Sequence, residues 1–195
     1  MNFLGLLSGI ATRTREFVSK IKDYNVKIMD TRKTLPGLRE LQKYAVRIGG
    51  GYNHRFRLDE MILIKDNHLV VSCAKHSSLY NRDMVRAIKQ KKPKNIKVEI
   101  EVKNLNEFRE AFKLEPDIVM FDNMKIEDIR KAIRFKREYI KKHRIIHKML
   151  LEASGSVNIK NVRAFAQSGV DVISLGTLTK DVRCLDLSLE IINDN

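Results

Sequence analysis

Cationic side chains are concentrated in short turns within the first third of the chain. Arg32 and Lys33 lie in "DTRKTLPGL", His54 and Arg55 in "GGGYNHRF", and Lys65 in "LIKDNH". Glycine and proline in these stretches predict turns rather than helix faces. Arginine binds a carboxylate through two parallel hydrogen bonds, and lysine acts as a mobile point charge. The pattern therefore predicts a site for a small ligand that carries several negative charges.

The alternative is that each of these cations pairs with a neighbouring carboxylate. The nearby acidic residues are Asp30, Asp59, Glu60 and Asp66. His68 adds another group that becomes positive when protonated. The acidic residues are too few to neutralise all of these groups, which favours the binding site.

Two small-residue turns later in the chain are typical of phosphate binding. "EASGSVN" (152–158) and "SLGTLTK" (174–180) each read as a strand, a turn and the start of a helix. Backbone N–H groups at such turns are otherwise unpaired, so they bind phosphate oxygens. One such turn is a weak signal. Two consecutive turns near the end of an α/β barrel are a known kind of phosphate site.

Two carboxylates, Glu101 and Asp122, lie at or near the ends of predicted strands. Magnesium commonly takes one or two carboxylates together with substrate phosphate oxygens, so these residues are candidates for Mg²⁺ or for ribose hydroxyls. The alternative is that they cap helices or pair with lysines.

Short β-rich runs alternate with helical runs along the whole chain. The predicted strands cover 26–30, 68–72, 96–102, 117–122, 148–154 and 171–176. The predicted helices cover 38–46, 79–92, 104–113, 125–143 and 158–169. Repeated strand, helix and strand units predict a parallel α/β architecture, which is either a barrel or an open sheet.

Polar residues at strand ends favour the barrel. Asp30, Glu101, Asp122, Ser154 and Gly176 each lie at or just after the end of a different predicted strand. In parallel α/β folds this edge binds ligands. Any one of these residues reads equally well as a helix cap. Five together favour a barrel mouth.

Composition indicates one folded domain that spans residues 1–195. The chain is 43% hydrophobic and 32% charged, and its formal net charge is +14. That charge attracts phosphates, carboxylates or nucleic acid. The two cysteines, Cys73 and Cys184, form no CxxC pair, so a disulfide framework and a cysteine-rich zinc site are both disfavoured. A reducing, cytoplasmic location fits best.

The N-terminal segment predicts an amphipathic helix. Its apolar face includes Leu6, Ile10, Phe17 and Ile21, which should cover another part of the protein. Basic residues follow the apolar patch instead of preceding it, which disfavours a signal peptide. No run approaches the roughly 20 apolar residues that cross a bilayer, so no membrane partner is expected.

The most biased segment, 125–148, has ten Lys or Arg and three Asp or Glu. Such runs are typical of a solvated helix on the outside of a domain. The alternative is a nucleic-acid surface, but only Phe135 and Tyr139 offer aromatic rings for base stacking. A nucleic-acid partner is therefore disfavoured.

The motifs together resemble the quinolinate phosphoribosyltransferase family. They include "MDTRKTLPGLRELQKYAVRIGGGYNHRF", "LIKDNHL", "VEIEV", "MFDNM" and "EASGSVNIKNVRAFAQSGVDVISLGTLT", and matching blocks run nearly from end to end. The resemblance implies a parallel α/β barrel of the type II phosphoribosyltransferase kind, closed or incomplete, after an N-terminal helix. It also implies that quinolinate and phosphoribosyl pyrophosphate give nicotinate mononucleotide, pyrophosphate and CO₂ in NAD biosynthesis, with Mg²⁺.

The resemblance implies three groups of site residues. Quinolinate would contact Arg32, His54, Arg55 and Lys65. The phosphoribosyl group would contact Lys33, Ser154, Gly155, Ser156, Gly176 and Lys180. Lys33, Lys65, Glu101 and Asp122 would be catalytic, and Glu101 and Asp122 would also hold Mg²⁺ together with substrate phosphates.

The chain departs from the family pattern in three respects. The family's N-terminal sandwich domain has no counterpart in these residues, Ser156 replaces a common glycine, and the basic stretch around 134–148 is longer than usual. The resemblance implies a homo-oligomer, a dimer or hexamer, and a separate N-terminal-domain polypeptide is a further candidate partner. The alternative function is a truncated or split-enzyme barrel that binds phosphorylated ligands with little activity alone.

Overall fold

The structure is a computed structural model that describes residues 1–65, 82–144 and 148–192. His68, the predicted strand at 68–72 and Cys73 lie outside the described residues. The helices are α1 (Asn2–Lys20), α2 (Arg39–Ile48), α3 (Arg82–Lys91), α4 (Leu105–Lys113), α5 (Ile126–His143), α6 (Val162–Ser168) and α7 (Thr177–Lys180). The strands are β1 (Lys27–Met29), β2 (Met61–Ile64), β3 (Lys97–Val102), β4 (Ile118–Asp122), β5 (Leu150–Ser154) and β6 (Val172–Ser174).

The six strands form one sheet in the order β1-β6-β5-β4-β3-β2, and every neighbouring pair is parallel. The predicted parallel α/β fold is confirmed. Within the described part of the chain, β1 and β2 are the two edges of the sheet and do not pair with each other. Met29 extends the β1 edge by a parallel bridge to Tyr52, on the segment that leads to β2. The described residues therefore form a six-stranded parallel sheet with helices, which is compatible with the predicted incomplete barrel.

Apolar and acidic residues alternate along β3, so the two faces of the sheet meet different environments. Val98, Ile100 and Val102 are fully buried in the hydrophobic core. The intervening Glu99 and Glu101 are also buried, but they are polar and lie on the opposite face. Successive side chains of a strand point to opposite faces, so one face of the sheet packs on helices and the other lines a polar interior.

The N-terminal helix covers part of the core as predicted. Ile10, Phe17 and Ile21 are buried, and α1 packs against α2. A Cβ atom on Gly9 would lie 2.1 Å from the carbonyl oxygen of Arg183, so glycine lets the C-terminal segment cross α1 closely. None of the helices in the described ranges combines the length and apolarity needed to span a bilayer.

The basic helix α5 lies on the outside of the domain. Ile129, Ala132 and Ile133 are buried, while most of its charged residues are exposed. The rings of Phe135 and Tyr139 meet the ring of Phe112 edge to face, at 5.7 and 5.1 Å between centroids. Because these two rings pack against α4, they are not presented as a base-stacking surface. The nucleic-acid alternative thereby loses its aromatic support.

Candidate functional site

A cavity of about 490 Å³ opens at the carboxyl ends of the parallel strands. Its wall contains residues from the segments that follow β1 and β2 and from the ends of β3 to β6, which is the edge where parallel sheets bind ligands. The lining residues are Thr31, Arg32, Lys33, His54, Arg55, Leu63, Lys65, Glu101, Met120, Asp122, Asn123, Ser154 and Ser174. Every residue that the sequence assigned to quinolinate or to catalysis lies in this wall.

A smaller cavity of about 240 Å³ adjoins the first. It is lined by Thr31, Lys33, Asp122, Asn123, Ser154, Gly155, Ser156, Val157, Ser174, Leu175, Gly176, Thr177, Lys180 and Asp181. All six residues that the sequence assigned to phosphoribosyl binding lie here. Both cavities share Lys33 and Asp122, so the two predicted half-sites meet at one wall.

The turn after β5 has the backbone shape expected of an anion-binding loop. Gly155 and Ser156 have φ angles of 75° and 53°, which are in the left-handed region. A Cβ atom on Gly155 would lie 2.4 Å from Asn123 Oδ1. Glycine is therefore required at 155 for two reasons: the backbone has a positive φ angle, and the loop that follows the neighbouring strand β4 approaches closely.

The turn after β6 is held against the segment that follows β1. Thr179 Oγ1 donates a hydrogen bond to the carbonyl oxygen of Lys33 at 2.7 Å. A Cβ atom on Gly176 would lie 3.2 Å from Lys33 Cδ. A larger residue at 176 would therefore push the Lys33 side chain, which lines both cavities.

Four cations line the larger cavity, namely Arg32, Lys33, Arg55 and Lys65. The Arg55 guanidinium donates to the carbonyl oxygen of Met61 at 2.7 Å, which fixes its position. Burial lowers the pKa of Arg55, and the charge of Arg32 lowers it further. Arg32 Nε is buried and has no hydrogen-bond partner within the described ranges. These like charges are held close together, so an anionic ligand would relieve their repulsion.

Two carboxylates face the same cavity from β3 and β4. Glu101 is 8% exposed, and its Oε2 lies 3.2 Å from Lys65 Nζ. Asp122 accepts a hydrogen bond from Asn123 Nδ2 at 3.0 Å. One or two carboxylates beside a phosphate-type turn match the ligand set that magnesium prefers. The donor chemistry of this wall fits Mg²⁺.

His54 contacts two glutamates that the sequence analysis did not select. Its Nε2 lies 3.3 Å from Glu99 Oε2 and 3.5 Å from Glu152 Oε1. Neither contact has hydrogen-bond geometry. Burial lowers the pKa of His54, but Glu152 and Glu99 outweigh burial and raise it to about 10. Burial and the charge of Glu152 raise the pKa of Glu99 to about 7.

The histidine and the two glutamates do not suit a metal in this arrangement. Their ligand atoms lie within 4.8 Å of one another. However, the backbone N–H of Arg55 points at Nδ1 of His54 at 2.9 Å, so that nitrogen faces a donor and not an acceptor. A metal-binding histidine instead donates from its second ring nitrogen. The three residues form a buried proton-holding cluster beneath the cavity.

Asp30 does not face the cavity. It follows β1 and lies on the same face of the sheet as Ile28, which is the helix side. There Lys43 Nζ lies 2.5 Å from its Oδ1. The same oxygen accepts a hydrogen bond from His54 N at 2.9 Å, and Lys43 also donates to the carbonyl oxygen of His54. Asp30 was expected at the ligand-binding edge, but it does not line either cavity. It instead fixes the backbone of His54.

Glu99 and Glu152 were missed because they lie inside strands rather than at strand ends. The alternation of glutamate with valine and isoleucine in "KVEIEV" indicated that one face of β3 is polar. Glu152 within the apolar run "LLEAS" gave a second signal of the same kind. Both strands present these residues to the polar interior.

Comparison with known proteins places this geometry in a family. The family model for "quinolinate phosphoribosyl transferase, C-terminal domain" matches residues 10–190. A Methanocaldococcus jannaschii protein named "probable nicotinate-nucleotide pyrophosphorylase (carboxylating)" is 44% identical over 194 residues, covering 98% of this chain and 65% of that protein.

Solved structures agree with the sequence matches. NadC from Streptococcus pyogenes aligns with a TM-score of 0.84 and 36% identity over 97% of this chain and 61% of that one. The nicotinate-nucleotide pyrophosphorylase from Francisella tularensis aligns with a TM-score of 0.81 and 42% identity over 96% and 61% of the two chains. The chain therefore spans less than two thirds of the length of these relatives.

Proposed function

Because the chain belongs to the quinolinate phosphoribosyl transferase family through its C-terminal domain, we propose that its two cavities bind quinolinate and phosphoribosyl pyrophosphate. The proposed reaction is a pentosyl transfer of NAD biosynthesis that gives nicotinate mononucleotide, pyrophosphate and CO₂. One observation carries the proposal: a cation-lined cavity and a phosphate-type turn share a wall that contains Lys33 and Asp122.

In this proposal the larger cavity takes the two carboxylates of quinolinate. Arg32, Arg55 and Lys65 supply charge, and Arg32 Nε is available for a new hydrogen bond. Arginine is the side chain best suited to a carboxylate, because its planar donors match the two oxygens. His54 lines the same cavity, but its Nε2 faces Glu99 and Glu152, so a direct contact with quinolinate stays a prediction.

The smaller cavity takes the 5-phosphate of the ribose. Gly155 and Ser156 supply a turn with two consecutive positive φ angles, and Lys180 supplies charge. Lys33 lies between the cavities, where it reaches both the phosphoribosyl group and the leaving pyrophosphate. In this arrangement the bound sugar spans the shared wall, and its C1 atom is directed toward the larger cavity.

Glu101 and Asp122 are the residues that would hold Mg²⁺. When bound, the ion supplies positive charge to the departing pyrophosphate. The protein's own contribution is to place Lys33 and Lys65 beside the oxygens of the departing pyrophosphate. It also places Glu101 and Asp122 beside the sugar. As the C1–pyrophosphate bond breaks, positive charge grows on the sugar and negative charge on the leaving group, so this placement stabilises both. No protein nucleophile is required.

Isothermal titration calorimetry on the 195-residue chain tests the proposal. With Mg²⁺ present, we expect binding of phosphoribosyl pyrophosphate and of quinolinate. Nicotinate lacks one carboxylate and should bind about tenfold or more weakly than quinolinate, because a hydrogen bond to a charged group contributes roughly 1.5–3 kcal/mol. Equal affinity for both pyridine acids, or no binding of phosphoribosyl pyrophosphate, would contradict the proposal.

Binding is the appropriate first measurement because the relatives are longer than this chain. We propose that turnover needs an oligomeric assembly, a dimer or hexamer, or a separate polypeptide corresponding to the rest of the relatives' length. Leu41, Tyr44 and Ile48 on α2 are 42%, 60% and 63% exposed and form an apolar face that supports an assembly. Light scattering over a range of concentrations would detect a homo-oligomer, and a strict monomer would contradict the homo-oligomer and leave the separate polypeptide as the partner.

A further inference from the structure

Asn123 links the two cavities through both ends of its side-chain amide. It follows β4 directly and lines both cavities. Its Nδ2 donates to Asp122 Oδ1 at 3.0 Å, and its Oδ1 accepts from Ser156 Oγ at 2.7 Å. The amide therefore connects a carboxylate of the shared wall to the phosphate-type turn.

The backbone ties Asn123 to the same turn. Its N–H donates to the carbonyl oxygen of Ser154 at 2.9 Å, and its φ angle is 53°, a conformation that asparagine tolerates better than most residues. The Gly155 backbone lies so close to the amide that a Cβ atom there would overlap it. Asn123 thus packs against all three residues of the turn at 154–156.

We propose that Asn123 is a positioning residue that couples the turn at 154–156 to the carboxylate of Asp122. The inference rests on the proposed function, in which the turn binds phosphate and Asp122 binds a divalent cation. The amide is a rigid planar group, so a movement of its oxygen toward Ser156 also moves its nitrogen relative to Asp122. An anion on the turn and a cation at Asp122 are then linked through one side chain.

The sharpest test changes Ser156, whose hydroxyl donates to Asn123 and not to Asp122. Ser156→Ala removes the hydroxyl that donates to Asn123 and keeps the Cβ atom, so the backbone restriction is unchanged. We expect Ser156→Ala to weaken Mn²⁺ binding about fivefold in the absence of any phosphate, the equivalent of one hydrogen bond of ordinary strength. Mn²⁺ is the probe because electron paramagnetic resonance measures the free ion directly.

A second variant shows whether the effect passes through Asn123. Asn123→Gly removes the amide without straining the positive φ angle. It should weaken Mn²⁺ and inorganic phosphate binding, each about fivefold or more. In the Asn123→Gly background, Ser156→Ala should have no further effect on Mn²⁺ binding, because the connection is already broken.

The controls separate this inference from a general loss of structure. Asn106→Ala removes an exposed asparagine on α4 and should leave both affinities unchanged. Thermal unfolding of each variant reports folding independently of binding. Unchanged Mn²⁺ affinity in Ser156→Ala, or independent effects in the double variant, would overturn the inference while leaving the proposed function intact. A wild-type chain that binds neither Mn²⁺ nor phosphate would overturn both.

Discussion

Lys43 Nζ lies 2.5 Å from Asp30 Oδ1, and both side chains are buried on the helix side of the sheet. Burial raises the pKa of Asp30 and lowers the pKa of Lys43, so the loss of hydration opposes the charged forms of both groups. The pair nevertheless binds the N–H and the carbonyl oxygen of His54. A buried charge pair outside the cavity thus determines where a cavity residue lies.

Lys43→Met should destabilise the fold by about 3–5 kcal/mol, because it leaves the Asp30 carboxylate buried without its cation. The double variant Lys43→Met with Asp30→Asn should lose less free energy of unfolding than Lys43→Met alone, because neither charge is then buried. Urea unfolding measures both variants, with Lys142→Met on the exposed surface of α5 as the control. A double variant that is less stable than Lys43→Met would contradict this explanation.

Gly155→Ala and Gly37→Ala form a matched pair. The two glycines have φ angles of 75° and 74°, but a Cβ atom on Gly37 meets nothing within 4 Å, whereas one on Gly155 overlaps Asn123. Both variants should incur the strain of a positive φ angle, about 1 kcal/mol. Only Gly155→Ala should lose more stability than that and weaken inorganic phosphate binding. Equal urea midpoints and equal phosphate affinities would show that the contact with Asn123 is unimportant.

Lys33 and Lys180 should differ in the ligands that they affect. Lys180 lines only the smaller cavity, whereas Lys33 lines both. Lys180→Met should weaken inorganic phosphate binding about tenfold and leave quinolinate unaffected, while Lys33→Met should weaken both. Lys22→Met, exposed in the turn before β1 and away from both cavities, is the control. Calorimetry that finds the same pattern for Lys33 and Lys180 would contradict the two-cavity arrangement.

Several of the cavity residues lie in turns directly after strands, which is a position that the sequence pattern can indicate. Arg32 follows β1 and Lys65 follows β2, and they come together because parallel strands end at one edge, whereas Arg55 precedes β2 and is held there by the carbonyl oxygen of Met61. Asp30 follows the same rule but faces the helix layer, because one residue along a strand reverses the side on which a side chain lies. Its partner Lys43 is on a helix, so only the packing of α2 on the sheet reveals the pair.

Local sequence marks Glu99 and Glu152 as polar residues inside strands, but it does not show that they meet His54. They meet His54 because β3 and β5 flank β4 in the sheet and present both glutamates on the same face. Neither the strand order nor the register between strands can be read from any one motif. The buried cluster is therefore a property of the tertiary structure.

The cluster also makes a prediction about pH. The pKa of His54 is about 10 in the folded chain, and an unfolded histidine has a pKa near 6.5. Between these values the folded state binds more protons than the unfolded state, so stability falls as the pH rises. The contribution of His54 is complete below about pH 6.5 and is lost as the pH approaches 10. The slope is at most about 1.4 kcal/mol per pH unit for one proton.

His54→Gln isolates this effect from other titrating groups. The charged groups that face His54 are Glu99 and Glu152, while the Asp30–Lys43 pair holds its backbone. Because His54 also lowers the pKa of Glu99, both chains carry Glu99→Gln. The difference in unfolding free energy that His54→Gln then causes should shrink as the pH rises above 6.5. Asn106→Ala, exposed on α4 and without a titrating group, should show no such trend. Urea unfolding at half-unit pH intervals measures both differences. A difference for His54→Gln that stays constant across this range would show that Glu152 does not hold a proton on His54.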